Sequence, residues 1–107
     1  MITYEEFKKI ELKVGEVKTV ERVTGSEKLL KLMVEIGEPT LRQIISGIGK
    51  GYEPETLVGR QIILVTNLES RMLMGLESQG MALAALSETG PTILIPEHSV
   101  APGAVIS

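Results

Sequence analysis

A chain of 107 residues holds one domain with one modest core and has no room for a second. Its 43% hydrophobic and 23% charged content is that of a folded protein in water. No apolar run reaches the length of a membrane-spanning helix, and no basic-then-apolar leader opens the chain. Cysteine is absent, which excludes disulfide scaffolds and thiolate metal sites and makes a reducing cytoplasm the expected compartment. The net charge is −3, so a contact with a polyanion must come from a local basic patch on a mildly acidic body.

Tyr4 to Ile10 reads as a short helix: Thr3 can cap it, Glu6 completes a capping box, and Phe7 with Ile10 forms an apolar edge. Leu12 and Val14 then alternate with Glu11 and Lys13, the period of a half-buried strand. At Gly15 the apolar phase slips to Val17, which predicts a β-bulge and a strong bend in a strand running to about Val23. Thr24 to Lys28 is a turn. Leu29 to Ile36 is a second strand with Leu30, Leu32, Val34 and Ile36 on one face, and Leu41 to Ile48 is a third. Lys50 to Leu57 reads as an irregular loop with a helical turn entered through Pro54. Arg60 to Leu68 is the fourth strand. Residues 67–81 read as a loop, Met81 to Leu86 as the fifth strand and Pro91 to Pro96 as a further short strand. The tail from Glu97 is extended and held by Pro102–Gly103. Short strands with frequent turns, a bent first strand and a helical turn between strands three and four predict an all-β chain. The expected architecture is a five-stranded OB-fold Greek-key barrel spanning residues 1–107, with a short N-terminal helix and a C-terminal strand extension.

Catalytic chemistry finds little support. His98 is the one histidine and falls in a turn-like stretch, where a solvated side chain is the ordinary reading. Gly75 to Gly80 has the spacing G-x-x-S-x-G, which is not a nucleophile elbow, and Ser78 would need His98 as its base. No second histidine or Asp cluster offers a metal site, and no cofactor is expected. Ser46 to Gly51 is rich in glycine, but Lys50 is followed by Gly51 and not by Ser or Thr, so the stretch reads as a strand end and not as a phosphate-binding loop. The loop after strand four is less ordinary. Met72, Leu73, Met74 and Leu76 are too apolar for a free loop: they tuck under the barrel mouth, form an exposed patch of the kind that marks an interface, or line a ligand site. Arg71 is the cation of that segment, and Ser78–Gln79 brings small polar donors.

Four segments together resemble the tRNA-binding OB domain found at the C-terminus of many methionyl-tRNA synthetases, as a free-standing tRNA-binding protein and in endothelial monocyte-activating polypeptide. Glu11 to Val17 is similar to the family's opening Asp-Leu/Ile-Arg-Val-Gly-x-Ile/Val, and Ser26 to Leu29 partly matches its Ala-Asp-Lys-Leu turn. Arg42 to Ile48 matches Arg-x-Ile/Val-Val/Ile-Ser-Gly-Ile/Leu. The long motif Asn-Leu-x-Pro-x-Lys-x-x-Gly-x-x-Ser-x-Gly-Met-x-Leu-Ala-Ala is matched at Asn67, Leu68, Gly75, Ser78, Gly80, Met81, Leu83, Ala84 and Ala85. The pattern Pro96 to Gly103 is also shared, so the resemblance covers essentially the whole chain.

The resemblance implies a non-catalytic module that cups tRNA without strict sequence reading and acts in trans beside a methionyl-tRNA synthetase. Carried over residue by residue, the RNA face comprises Lys13, Lys28, Arg42, Ser46, Asn67, Arg71 and Ser78. The cations would meet phosphates, and Asn67 and Ser78 would bond ribose or base edges. It also implies a homodimer joined through the N-terminal helix and the C-terminal strands; the cytoplasm is expected from the absent cysteine, and no membrane partner from the lack of a long apolar run. The departures from the family are specific. Met72 and Met74 stand where cations are common, Glu16 stands where Lys is common, and aromatic residues for base stacking are few. These departures and the acidic balance are the signs of the alternative, a protein-binding or chaperone-like homodimer of the same fold with little RNA affinity, against which the whole-chain resemblance and the retained Lys13, Lys28, Arg42, Asn67 and Arg71 favour tRNA docking.

Overall fold

The computed structural model describes residues 1–107. Helix α1 spans Tyr4–Phe7, followed by strand β1, Leu12–Arg22, β2, Leu30–Glu35, and β3, Arg42–Ser46. Helix α2, Pro54–Leu57, precedes β4, Gln61–Val65. The second half contains β5, Arg71–Leu73, β6, Leu76–Ser78, β7, Met81–Ala82, β8, Ala84–Ser87, β9, Gly90–Ile93, and β10, Val105–Ile106. The main sheet runs β3-β2-β1-β4-β7 with β10 beside the start of β1, all pairs antiparallel. It curls into a nearly closed all-β barrel, the OB-fold architecture expected from the strand pattern. No helix is long and apolar enough to cross a membrane.

The alternation of β2 sets the core. Leu30, Leu32, Val34 and Ile36 point inward and meet Val17, Ile44, Ile62 and Leu64 from the neighbouring strands, all essentially without solvent exposure. Leu57 of α2 inserts into the same cluster, so the helical turn plugs the barrel. Each such side chain contributes about 1.5–3 kcal/mol by leaving water, and a four-residue helix has no stability of its own to add.

The phase slip at Gly15 has a different cause from the expected bulge. β1 pairs with β4 without interruption from Leu12↔Val65 to Glu16↔Gln61. The bulge lies further on, where the β1–β2 register shifts between Val17 and Thr19. Gly15 faces inward, and its missing side chain is the reason for the slip: a Cβ there would stand 2.4 Å from Val34 Cγ1 and 2.9 Å from Leu64 Cδ1. Leu12 and Val14 take the outer face of the strand, where the C-terminal segment covers Val14. That segment is bound by the Gly103 N–H donating to the Val14 carbonyl at 2.7 Å and the Val14 N–H donating to the Ala104 carbonyl at 2.9 Å. Gln61 also holds the tail at both ends of its amide, to the carbonyl and the N–H of Val100.

Two more expectations change. The fifth strand divides at Leu83 into β7, which pairs with β4, and β8, which forms its own hairpin with β9. Residues 71–78 are not a loop but a second hairpin, β5–β6. The N-terminal helix stops at Phe7, three residues early, with Thr3 and Glu6 forming the expected reciprocal capping box.

The Gly15 packing predicts that Gly15→Ala lowers stability by about 1–3 kcal/mol through overpacking. Urea unfolding should show a lower midpoint at an unchanged slope.

Candidate functional site

The hairpin β5–β6 turns through Met74 and Gly75, both with positive φ, 51° and 78°. Two consecutive left-handed residues give the turn whose twist matches that of its strands. Leu73 and Leu76, facing each other across the hairpin, pack on a small cluster of Val23, Leu29 and Ile45 outside the main core. The apolar residues of this segment therefore divide. The two leucines anchor it, while Met72 and Met74 stay 64% and 59% exposed.

Polar side chains join the hairpin to β3 and complete the barrel. The Ile45 N–H donates to Ser78 Oγ at 2.9 Å, and that hydroxyl donates to the Gly80 carbonyl at 3.0 Å. The Gln43 N–H donates to Gln79 Oε1 at 2.9 Å, the Gln43 amide donates to the Glu77 carbonyl at 2.8 Å, and the Gln79 N–H donates to the Gln43 carbonyl at 2.8 Å. Held in this way, the hairpin forms one wall of a groove of 560 Å³. The opposite wall is the loop after β1, with Ser26 and Lys28, and the floor is the end of β3 with Ser46, together with Met81 and Ala82. A groove between these two loops over the second and third strands is where OB folds take oligonucleotides and oligosaccharides.

Its electrostatics differ from those of the whole molecule. Five of the eleven basic residues are spent in ion pairs: Lys13, Lys18, Arg22, Lys31 and Arg42 each lie within 4 Å of a Glu carboxylate. Lys28 and Arg71 have no such partner, and no lining residue of the groove is acidic. An anion approaching it meets two unneutralised cations.

Of the seven residues the sequence proposed for an RNA face, the fold brings Lys28, Ser46 and Arg71 together in this groove. Lys13, Arg42 and Asn67 gather elsewhere, where β4 ends. Arg42 donates to both Glu38 carboxylate oxygens at 3.0 Å, to the Thr66 carbonyl at 2.6 Å and to the Gln79 carbonyl at 2.9 Å. Asn67 accepts from the Glu11 N–H at 2.8 Å and donates to the Lys9 carbonyl at 2.7 Å, pinning the end of the N-terminal helical segment to the barrel. Lys13 lies 3.6 Å from Glu11. Ser78, 4% exposed, is occupied in the seam. Sequence reasoning missed Gln43 and Gln79, which carry that seam. It also missed the hairpin, for which the signal was the apolar pair Leu73/Leu76 flanking Met74–Gly75.

In the network around Arg42, the Thr66 hydroxyl bonding Glu11 Oε1, with help from the charges of Lys13 and Arg42, holds the Glu11 carboxyl below its ordinary value. Hydrogen bonds from Arg42 do the same for Glu38. A folded-state pKa below the unfolded one contributes stability that is complete above the ordinary carboxylate value of 4.5 and is lost as pH falls through the folded value. Thermal midpoints should therefore drop below about pH 4.5, and the double variant Glu11→Gln/Glu38→Gln should show a shallower drop.

The fold and the groove define a binding domain of the OB class. The family described as "Putative tRNA binding domain" matches residues 12–105, and the chain belongs to that family. Among curated proteins it is 48% identical over 106 residues to the methionine–tRNA ligase of Caldanaerobacter subterraneus subsp. tengcongensis, covering 99% of this chain and 16% of the ligase. It is 46% identical over 106 residues to the methionine–tRNA ligase of Helicobacter pylori strain J99, again covering 16% of the ligase. The chain thus spans about a sixth of the length of these relatives. Among solved structures, a MetRS-related protein from Pyrococcus horikoshii superposes with a TM-score of 0.92 at 36% identity, over 100% of this chain and 98% of that one. The chaperone CsaA of Bacillus anthracis superposes with a TM-score of 0.91 at 28% identity, over 100% and 99%.

Proposed function

We propose that the chain docks tRNA in trans for a methionine–tRNA ligase, by contacts to the phosphate backbone that do not read sequence. The observation that carries this reading is the groove with Lys28 and Arg71 unpaired and no acid in its lining, in a chain of the tRNA-binding-domain family. Ser46 adds a hydroxyl to the lining that the two cations share, for a phosphate or ribose oxygen. Ser78 and Arg42 serve the same site indirectly, Ser78 by holding the hairpin against β3 and Arg42 by binding the Gln79 carbonyl, while Lys13 and Asn67 stand outside it. The ligase as partner is supported by the methionine–tRNA ligases that carry a similar segment and by the likeness to a MetRS-related protein. The cytoplasm, where tRNA is charged, is the compartment this role requires.

The docking unit is a homodimer. Two apolar depressions share Leu12, Val105 and Ile106: one runs on to Tyr4, Phe7 and Ile10, the other to Leu94, Ile95 and Val100. Neither shares a residue with the groove, so a second copy could cover them and leave the site open. A continuous apolar area of this kind on one side of a small domain suits a self-complementary interface. A second reading, a protein-binding homodimer, draws on the exposed Met72 and Met74 and on the likeness to chaperone CsaA.

Binding of tRNA should fall steeply with salt. Lys28→Ala and Arg71→Ala should each weaken it and each reduce the slope of log affinity against log salt by roughly one unit. Unchanged slopes in both variants would remove the groove from tRNA binding, and capture of unfolded protein without tRNA would favour the second reading. Sedimentation should show a dimer at micromolar concentration and a monomer for Val105→Glu; a monomeric parent chain would remove the interface.

A further inference from the structure

Met74 sits in the hairpin turn and Met72 lies two residues before it in β5. Phosphate binding has no use for an apolar surface, since a duplex presents only charged backbone and hydroxyls to such a groove. Yet Met72, Met74 and Met81 are exposed at 64%, 59% and 46%, and all three line the groove that holds Lys28 and Arg71. Exposed apolar surface in one groove with two cations that have no ion-pair partner matches one feature of RNA, an unpaired base displayed beside its own phosphates.

The backbone points the same way. Met74 is the only residue other than glycine with positive φ. The first central position of such a turn favours Asn, Asp or Gly, and a long side chain there costs stability. Its methyl group reaches across to the turn after β1, where a side chain on Gly25 would begin 3.3 Å from Met74 Cε. The strained residue therefore carries a flexible thioether to the rim of the groove, facing the loop that bears Lys28. Thioethers are polarizable and adapt to flat or irregular apolar partners. None of the aromatic rings that usually stack bases lines this groove.

Resting on the reading of the groove as an RNA site, we propose that it takes an unpaired, single-stranded RNA segment. In this arrangement Met72 and Met74 form the platform for splayed bases, and Lys28 and Arg71 hold the flanking phosphates. Transfer RNA offers such segments at its loops and its 3′ end. Recognition by thioethers is tolerant of base identity, because every base has an apolar face.

The test compares the full chain and its variants on three probes: tRNA, a uridine oligonucleotide and a blunt RNA duplex of equal length. The oligonucleotide should compete with tRNA, and the duplex should compete about tenfold less well. Met72→Ala should weaken oligonucleotide binding about fivefold to tenfold with the salt slope unchanged, which separates it from a lost phosphate contact. Met74→Asn should raise the thermal midpoint, because Asn accepts the left-handed turn, and still weaken the oligonucleotide. Met72→Lys should steepen the slope by about one unit and narrow the preference for the single strand. If tRNA binds but the duplex competes equally, or if Met72→Ala and Met74→Asn bind as the parent does, the methionine platform is wrong while the tRNA site stands. If neither tRNA nor the oligonucleotide binds at low salt, both are wrong. Displacement of the oligonucleotide by an amphipathic acidic peptide that binds far more tightly would assign the platform to protein instead.

Discussion

The barrel depends on a seam made by side chains. Between β3 and the hairpin there is no continuous backbone ladder; Ser78, Gln79 and Gln43 substitute for one, and Arg42 ties the end of the seam to the Thr66 carbonyl. The Ile45 N–H is buried, and without the Ser78 hydroxyl it would have no partner, a loss of about 1–3 kcal/mol. The same bonds decide where the hairpin stands and so how wide the groove is. Closure of the fold and shape of the site are one set of interactions, and polar residues that resemble ligand contacts in the sequence, such as Arg42 and Ser78, are occupied by backbone groups and carboxylates in the structure.

A negative molecule can still present a positive site if its acids are spent elsewhere. Exposed ion pairs add little to stability. Their effect here is distributive: Glu11, Glu16, Glu21, Glu38 and Glu53 neutralise cations on strands β1, β2 and β3, and the groove keeps Lys28 and Arg71. Two charges are few for a polyanion, so in the proposed RNA site affinity would rest on the apolar surface beside them. Methionine in place of further cations exchanges long-range attraction, which salt screens, for short-range apolar contact, which it does not. A dimer would double the cationic count while each groove kept its own floor.

The strands with one buried face were legible because burial imposes a period of two. Leu30 to Ile36 could be read residue by residue. Gly15 was visible as a break in that period, but its meaning was not: a bulge and an inward-facing glycine produce the same slip, and only the presence of Val34 and Leu64 above it distinguishes them. The β5–β6 hairpin was hidden because its turn uses Met74, not the Asn or Asp that ordinarily marks such a turn. The site divided in the same way. Lys13, Arg42, Asn67 and Ser78 have the chemistry of RNA contacts, and the sequence carries no record of which carboxylates and carbonyls the fold brings to them.

Local pattern by itself determined the all-β class, the inward face of each main strand, the capped first turn and, through four spaced motifs, the family. These depend on neighbours within a few residues, whose geometry the backbone fixes. Which cations remain free, which hydroxyl closes the barrel and which methionines face a groove were decided by tertiary structure alone. Each depends on partners such as Arg42 with Thr66 and Gln79, or Ile45 with Ser78, that lie 24 to 37 residues apart along the chain. Electrostatic pairing and burial act through space, and the order of residues does not show which distant ones will meet.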